Sequence, residues 1–315
     1  MSIIEKAASR IDRQRSAAPA SPVAAGGLND SAALHPAADS PSVTVADTVI
    51  HETVHAVPVA PAPVHEQPAA PKFMTRKVEL DLVRMRETGM VTAASGRTPL
   101  LEDIRIIKRP LLQRAFAARA PGGNPGNLIM ITSSLPGEGK TYTAINLAMS
   151  IAMELDHTVL LVDADVARPS ILRTLGLPPQ RGLMDILLDD KLDMGDVMLR
   201  TNVDTLSILP AGTSTARATE LLASSTMSNL VEEIANRYPD RIVIFDSPPL
   251  LLTSESRVLA SHMGQIVLVV EAQTTTQHAV KEALSQLEGI DNVNLIYNKA
   301  RDIPGIEETY DYHYG

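Results

Sequence analysis

Six short apolar runs follow one another from residue 128 onward, with helix-patterned segments between them. They are 128–132, 159–162, 206–209, 242–245, 266–270 and 293–297. These runs are apolar on both faces rather than alternating, which is typical of central strands in a parallel sheet covered by helices. The pattern therefore predicts an α/β fold with a mostly parallel sheet flanked by helices. Ligands of such folds bind beyond the carboxyl ends of the strands.

The region before the strands has a different character. Helical spacing occurs around 78–86 and 100–118, and a Pro-Gly-Gly-Asn-Pro-Gly run at 121–126 then interrupts it. Nine of the 22 prolines lie between Pro19 and Pro71. The predicted organisation is a short amphipathic helix (1–17), either docking on a partner or frayed, a disordered Ala/Pro-rich linker (18–75), a folded domain with N-terminal helices (76–299) and a tail (300–315).

Composition narrows the class of protein. Aromatic residues make up 3% of the chain, so the core must be built from Leu, Ile, Val, Ala and Met. The absence of cysteine excludes disulfides, thiolate metal sites and iron–sulfur clusters. A net charge of -9 argues against nucleic acid as the main partner. The lack of cysteine fits a reducing compartment, so we expect a cytoplasmic protein. No run reaches the roughly 18 uncharged apolar residues of a membrane helix, so we expect any membrane contact to be indirect or peripheral.

A glycine-rich loop follows the first apolar run directly. It reads Ser-Leu-Pro-Gly-Glu-Gly-Lys-Thr from residue 134 and leads into a helical run. Strand, glycine loop and helix in this order predict a phosphate-binding P-loop, although Ser134 replaces the usual first glycine. Lys140 would neutralise the terminal phosphates and the Thr141 hydroxyl would bind Mg²⁺. The predicted nucleotide contacts are Gly137, Glu138, Gly139, Lys140, Thr141 and Tyr142.

Three aspartates stand where later strands end. Asp163 and Asp165 follow the run 159–162, and Asp246 ends the run 242–245. Acids at the end of a buried strand are costly unless a cation uses them, the alternative being a polar turn with a capping Asp. We expect Asp163 and Asp246 to hold Mg²⁺ with Thr141, and Asp165 to help organise metal and water. The predicted catalytic residues are Lys140, Asp163, Asp165 and Asp246.

These three elements resemble the Walker A, variant Walker A′ and Walker B motifs of bacterial tyrosine kinases, over about residues 100–315. The segment Ile104–Leu112 and an N-terminal Ser-Ile-Ile-Glu-Lys-Ala are most similar to autokinases that accompany exosortase-linked exopolysaccharide export. The resemblance implies ATP and Mg²⁺ as cofactors, Asp163 as candidate base, and a tail of phosphoacceptor tyrosines. The matching residues are Tyr310, Tyr312 and Tyr314.

The resemblance also implies partners. Family members form rings through a Glu-x-x-Arg-x-x-Arg helix, and this chain has Glu102, Arg105 and Lys108 at those positions, unless they are an ordinary solvated helix face or Arg109 serves instead. Relatives are activated by an inner-membrane chain-length determinant, a polysaccharide co-polymerase. We therefore expect such a partner, peripheral attachment to the inner membrane through it, and a cognate tyrosine phosphatase. Asn298 resembles the base-contacting Asn of related ATPases, although a turn Asn is equally consistent.

Two other functions fit parts of the pattern. A partitioning or site-placement switch ATPase with a deviant Walker motif shares all three elements, but it carries an additional lysine early in the P-loop, where residues 133–136 have none. A nucleotide-binding scaffold without turnover is the second alternative. The sequence His51-Glu-Thr-Val-His55 matches a zinc-protease signature, but it lies in the Pro-rich linker without a third ligand, so we predict no zinc site.

Overall fold

A computed structural model describes residues 76–119 and 122–300 of the chain. Within them the strands are β1 (Arg76–Lys77), β2 (Leu128–Ser133), β3 (Thr158–Asp163), β4 (Leu199–Arg200), β5 (Leu206–Leu209), β6 (Arg241–Asp246), β7 (Gln265–Glu271) and β8 (Val293–Asn298). The helices are α1 (Leu82–Glu87), α2 (Pro99–Ala115), α3 (Lys140–Ala152), α4 (Ile171–Thr174), α5 (Leu183–Leu188), α6 (Met194–Val197), α7 (Ala218–Leu222), α8 (Ser225–Arg237), α9 (Ser254–Ala260) and α10 (Gln277–Ser285). None of these helices is long and apolar enough to cross a membrane.

The described strands form one sheet in the order β1-β4-β5-β3-β6-β2-β7-β8. All neighbours pair in parallel except β4 and β5, which are antiparallel. The six predicted strands correspond to β2, β3 and β5–β8, which confirms the prediction of a mostly parallel sheet. In this order β3, β6 and β2 are neighbours at the centre of the sheet. The P-loop and all three aspartates therefore lie together at the carboxyl ends of these strands.

Each central strand contributes side chains to two apolar layers, because its successive side chains point to opposite faces of the sheet. In β2, Leu128 and Met130 pack in one layer, whereas Ile129 and Ile131 pack in the other. Helix α3 covers the second layer and is buried along nearly its whole length. Burial on both faces explains why these strands are continuous apolar runs. The position of α3 in the core also fixes the P-loop at its amino end.

The first described segment differs from the helix predicted around 78–86. Arg76 and Lys77 form the edge strand β1, in parallel register with Leu199 and Arg200 of β4. The helix begins only at Leu82, because Asp81 accepts a hydrogen bond from the Arg84 backbone N–H at 2.9 Å and so caps it. The second predicted helix, 100–118, is confirmed as α2. The predicted segments 1–17 and 18–75 lie outside the described residues, as does the predicted tail from residue 301.

Candidate active site

The glycine-rich loop connects β2 to α3, as predicted. Its glycines Gly137 and Gly139 have φ angles of 86° and 97°, in the left-handed region that residues other than glycine rarely adopt. Gly139 is also the residue before the first turn of α3, and a β-carbon there would overlap the Asn298 side chain. The loop therefore requires glycine at this position both for its backbone conformation and for close approach of β8.

Side chains around the loop hold it in place. Glu138 is buried, and its carboxylate accepts hydrogen bonds from the Leu135 backbone N–H at 2.6 Å and from the Thr275 hydroxyl. Asn298 donates from Nδ2 to the Glu138 carbonyl at 2.8 Å, and Lys299 donates to the Gly137 carbonyl at 2.8 Å. The Glu138 carboxylate thus faces inward and holds the loop, and nucleotide contact through the backbone of Glu138 stays a prediction. Base contact by Asn298 stays a prediction.

Lys140 is the only cation within the cluster of buried acids around the loop, among the described residues. Its Nζ lies 2.8 Å from Asp165 Oδ2 and 3.6 Å from Asp246 Oδ1. Asp165 also accepts a hydrogen bond from the Arg168 backbone N–H at 3.1 Å. The structure therefore brings the Walker A lysine together with acids from the ends of β3 and β6, as the motif analysis predicted.

Thr141 and Asp163, the other two predicted metal ligands, are connected through Ser170. Thr141 Oγ1 lies 2.8 Å from Ser170 Oγ, which in turn lies 3.5 Å from Asp246 Oδ2. Asp163 Oδ2 accepts the backbone N–H groups of Ser170 and Ile171 at 3.0 and 2.9 Å. Ser170 was not predicted as a site residue, because a serine after a proline reads as an ordinary turn residue in the sequence.

Burial and crowding perturb the acids strongly. Burial, followed by the charge of Asp246, raises the pKa of Asp163 to about 7, against the lowering effect of its two backbone donors. Burial raises the pKa of Asp246 to about 6, although Lys140 acts in the opposite direction. Burial would lower the pKa of Lys140, but the charges of Asp246, Asp165 and Asp163 outweigh it, so the pKa is raised. Keeping these buried carboxylates ionised therefore costs free energy.

The donor set fits a hydrated magnesium ion. Asp163 Oδ1 and Asp246 Oδ1 are buried and lack a hydrogen-bond partner within the described residues. Three carboxylates face one lysine, so two negative charges remain uncompensated when all are ionised. No cage of three or more metal-ligating side chains exists in the described part of the chain. Mg²⁺ suits such a site because it usually binds one or two carboxylates plus phosphates and keeps several waters. Thr141, Asp163 and Asp246 are the residues that would hold it.

A cleft of about 580 Å³ opens over the P-loop and is called here the nucleotide cleft. Its lining includes Gly137, Gly139, Lys140, Thr141, Tyr142, Asp165, Arg168, Ser170, Arg173, Pro248, Pro249 and Leu252. The Tyr142 hydroxyl donates to the Gly89 carbonyl, which connects the cleft to the segment before α2. Arg168 and Arg173 add two exposed cations that sequence reasoning missed; the only signal was their position after the Walker A′ acids.

The predicted ring-forming residues on α2 behave differently from one another. Glu102 and Arg105 form an exposed ion pair at 2.6 Å, so they remain available in the described structure. Lys108 is buried, with its Nζ 2.8 Å from the Ser150 carbonyl and 2.7 Å from Glu154. The prediction of Lys108 as an interface residue is therefore wrong: it holds α2 to the carboxyl end of α3 within the same chain.

The predicted phosphoacceptors Tyr310, Tyr312 and Tyr314 lie outside the described residues. The site described here is consequently the nucleotide side of the predicted reaction. It contains the residues predicted to bind phosphates and a metal ion, namely Gly137–Thr141 with the three aspartates, at the carboxyl ends of the central strands.

Comparison with known proteins agrees with this arrangement. A family model described as an AAA domain matches residues 126–302. Tyrosine-protein kinase CpsD of Streptococcus agalactiae is 30% identical over 182 residues, which cover 57% of this chain and 78% of CpsD. Tyrosine-protein kinase ptk of Acinetobacter johnsonii is 30% identical over 219 residues, 69% of this chain. The crystal structure of the VpsO kinase domain has a TM-score of 0.56 at 28% identity, covering 70% of this chain and 98% of that domain.

The fold and the site define a P-loop nucleotide-binding protein. The chain belongs to the AAA-domain P-loop proteins and, within them, to the bacterial tyrosine kinase family. It spans only 28% of the length of the Acinetobacter johnsonii relative, so that kinase contains much that has no counterpart in this alignment.

Proposed function

We propose that the protein is an ATP-dependent protein-tyrosine autokinase that phosphorylates Tyr310, Tyr312 and Tyr314 and thereby regulates exopolysaccharide polymerisation or export. The observation that carries this proposal is the convergence of Lys140, Thr141 and the acids of β3 and β6 at one edge of the sheet, in a member of the tyrosine kinase family. Bound ATP with Mg²⁺ supplies the phosphoryl group. The exopolysaccharide role, including the exosortase link, is supported by the resemblance of the motifs alone.

Each group of residues in the site has a separate role in the proposed phosphoryl transfer. The backbone of Gly137–Thr141 and the amino end of α3 bind the phosphates, and Lys140 must leave Asp165 or share it to reach them. Thr141, Asp163 and Asp246 would hold the metal ion, which would offset the charge of the phosphates. Asp163 accepts the proton of the tyrosine hydroxyl, whose ordinary pKa of about 10 keeps it protonated at neutral pH.

The oligomeric state and the partners that we propose are those of the same family. We propose a homo-oligomeric ring, an inner-membrane chain-length determinant that activates the kinase and holds it at the cytoplasmic face, and a phosphatase that resets the tail. Glu102 and Arg105 are the exposed pair through which α2 could join a neighbouring copy. Lys108 is no longer part of that proposal, because its ammonium is used within the chain.

The second candidate function is a switch ATPase that does not act on tyrosine. It shares the P-loop and both acidic motifs, but the additional early lysine of that class is missing from Ser133–Pro136. The described structure has only serine, leucine and proline there, ahead of a loop held by Glu138. This absence favours the kinase.

The deciding experiment is transfer of label from radioactive ATP to the purified full chain, with and without the cytoplasmic part of a candidate membrane partner. Wild type is compared with Lys140→Met and with a variant that has phenylalanine at positions 310, 312 and 314. Label on wild type but on neither variant is expected. Hydrolysis of ATP without tail label, even with the partner present, would refute the kinase and support the switch ATPase.

A further inference from the structure

The residues at the end of β8 contact the P-loop from behind the nucleotide cleft. Asn298 donates from Nδ2 to the Glu138 carbonyl at 2.8 Å. The next residue, Lys299, donates from Nζ to the Gly137 carbonyl at 2.8 Å and lies 2.9 Å from the Glu271 carboxylate at the end of β7. Gly137 lines the cleft, whereas Lys299 does not belong to the lining that the described residues form. Two consecutive carbonyls of the loop are therefore held on its outer side by the end of one strand.

The geometry of the peptide bond fixes where the N–H groups of the loop point. A trans peptide unit is planar, and its C=O and N–H point in opposite directions. The described peptide bonds are all trans. The Gly137 carbonyl shares a peptide unit with the Glu138 N–H, and the Glu138 carbonyl shares one with the Gly139 N–H. Holding both carbonyls outward therefore directs these two N–H groups to the side of the cleft, where a P-loop presents its backbone donors to phosphates.

The glycine at position 137 makes such an external contact necessary. Gly137 has no β-carbon, so the peptide unit that follows it rotates at little steric cost. The opposite orientation would point the Gly137 carbonyl into the cleft, where its partial negative charge would repel a phosphate group. Lys299 is the side chain that donates to this carbonyl, so its ammonium favours the orientation in which the Glu138 N–H faces the cleft.

The backbone of Lys299 also indicates a role beyond packing. Its φ angle is 57°, in the left-handed region that residues with a β-carbon rarely adopt. Gln273, with a φ angle of 62°, is the other non-glycine residue of this kind in the described part of the chain. Gln273 lies in the turn after β7, two residues before Thr275, whose hydroxyl donates to the Glu138 carboxylate. Both strained positions thus lie in the turns that hold the P-loop, and such strain persists where surrounding contacts over-determine it.

We propose that Lys299 is a positioning residue for phosphate binding, which holds the Gly137 carbonyl away from the nucleotide cleft and thereby aims the Glu138 N–H at a phosphate group. The positive charge of Lys299 adds a second effect. A cation that binds a carbonyl polarises the whole peptide unit, so the N–H of that unit becomes a stronger donor. Lys140 would contact the phosphates directly, whereas Lys299 acts through the loop. This inference rests on the proposed binding of ATP and does not depend on transfer to tyrosine.

The test measures ADP binding by the full chain in the presence of a metal chelator, so that no metal ion contributes to the affinity. Lys299→Met removes the ammonium, and Lys299→Arg keeps a cation that can donate to the same carbonyl. The Lys299 side chain is 48% exposed, so these changes leave the core intact. Lys281→Met, at an exposed lysine on α10, is the matched control. Thermal melting checks the fold, and competition against a fluorescent ATP analogue gives the Kd.

A second ligand separates phosphate positioning from a merely structural effect. It is ADP in which sulfur replaces a non-bridging oxygen of the β-phosphate, because sulfur accepts hydrogen bonds more weakly than oxygen. If Lys299 aims the Glu138 N–H at this phosphate, the sulfur substitution and the removal of Lys299 weaken the same hydrogen bond. Their combined effect on the Kd is then smaller than the product of the two separate effects.

We expect Lys299→Met to raise the Kd for ADP by about three- to tenfold, whereas Lys299→Arg and Lys281→Met stay within about twofold of wild type. The sulfur substitution should weaken binding to wild type more than binding to Lys299→Met. An unchanged Kd in Lys299→Met would overturn the proposal, and so would a sulfur effect of equal size in both proteins or a loss that Lys299→Arg does not recover.

The outcome for the proposed function is distinguishable from this one. If wild type binds ADP with the expected dependence on Lys299 but transfers no phosphate to tyrosine, the kinase proposal fails and the role of Lys299 stands. Absence of ADP binding by wild type would refute the nucleotide site and the role of Lys299 together.

Discussion

Replacement of Lys140 by methionine is expected to destabilise the nucleotide-free protein in a strongly pH-dependent way. The lysine is the cation closest to two buried acids, at 2.8 Å from Asp165 and 3.6 Å from Asp246. Removing one partner of a buried ion pair costs about 3–5 kcal/mol, because a charge is left uncompensated. For a domain of this size, each kcal/mol lowers Tm by about 2–4 °C. Lys140→Met should therefore melt about 6–20 °C lower than wild type at pH 8.

The pKa shifts of the acids fix the sign of the pH dependence. Asp246 has a folded pKa of about 6, above its ordinary value, and loss of the lysine raises it further. At pH 5 the Asp246 carboxyl is mostly protonated in both folded proteins, so the attraction between Lys140 and Asp246 is largely absent there. As pH rises through about 6 to 8, wild type keeps Asp246 ionised beside Lys140, whereas the variant must bury a lone charge or take up a proton. The difference in Tm should thus grow from pH 5 to pH 8.

The assay is thermal unfolding followed by circular dichroism between pH 5 and 8.5, without nucleotide and with a metal chelator. Lys281→Met, at an exposed lysine on α10, is the matched control for loss of one positive charge. An equal loss of Tm at pH 5 and pH 8, or no loss at pH 8, would show that Lys140 does not compensate the acids in the free protein. Added Mg²⁺ should restore part of the lost Tm at pH 8.

Three more outcomes are expected. Asp163→Asn should abolish tyrosine phosphorylation and also flatten the stability profile of the nucleotide-free protein in melts from pH 4 to 8, because the raised pKa of Asp163, about 7, makes wild-type stability fall over that range. Asn298→Ala should weaken nucleotide binding by about two- to tenfold in a fluorescence titration, because the Glu138 carbonyl loses its donor. Lys108→Met should lower Tm by several degrees even in the monomer, whereas Arg105→Ala should leave Tm unchanged and reduce ring assembly in analytical ultracentrifugation.

The central half of the fold was predictable because burial leaves a direct mark on the sequence. Strands such as β2 and β6 are covered on both faces, so they read as continuous apolar runs that end in the polar residues of the site. The two-residue strands β1 and β4 have no periodicity to detect. Strand β4 exists because it pairs antiparallel with β5, and β1 exists because the chain before α1 pairs with β4, so both depend on tertiary contacts.

The same limit explains why two side-chain contacts could not be foreseen from spacing. Residues Glu102, Arg105 and Lys108 are spaced to lie near one face of α2. Spacing cannot reveal that the carboxyl end of α3 packs behind that face, where Lys108 donates to the Ser150 carbonyl. Glu138 lies between the two loop glycines that are predicted to bind phosphate, yet its carboxylate turns inward to hold the loop. In both cases a charged side chain satisfies backbone groups that only the folded arrangement brings near.

A single segment joins the separate parts of the site. Asp163 begins it as the buried acid, Asp165 follows as the partner of Lys140, Ser170 contacts Thr141, and Arg173 lines the nucleotide cleft. A phosphate group at the loop would compete with Asp165 for Lys140, and Asp165 belongs to the same short segment whose backbone N–H groups hold Asp163. A change at Lys140 therefore bears directly on the segment that fixes Asp163, and no long-range path is needed. The variant Walker A′ segment thus connects the lysine of the P-loop to the buried acid at the end of β3.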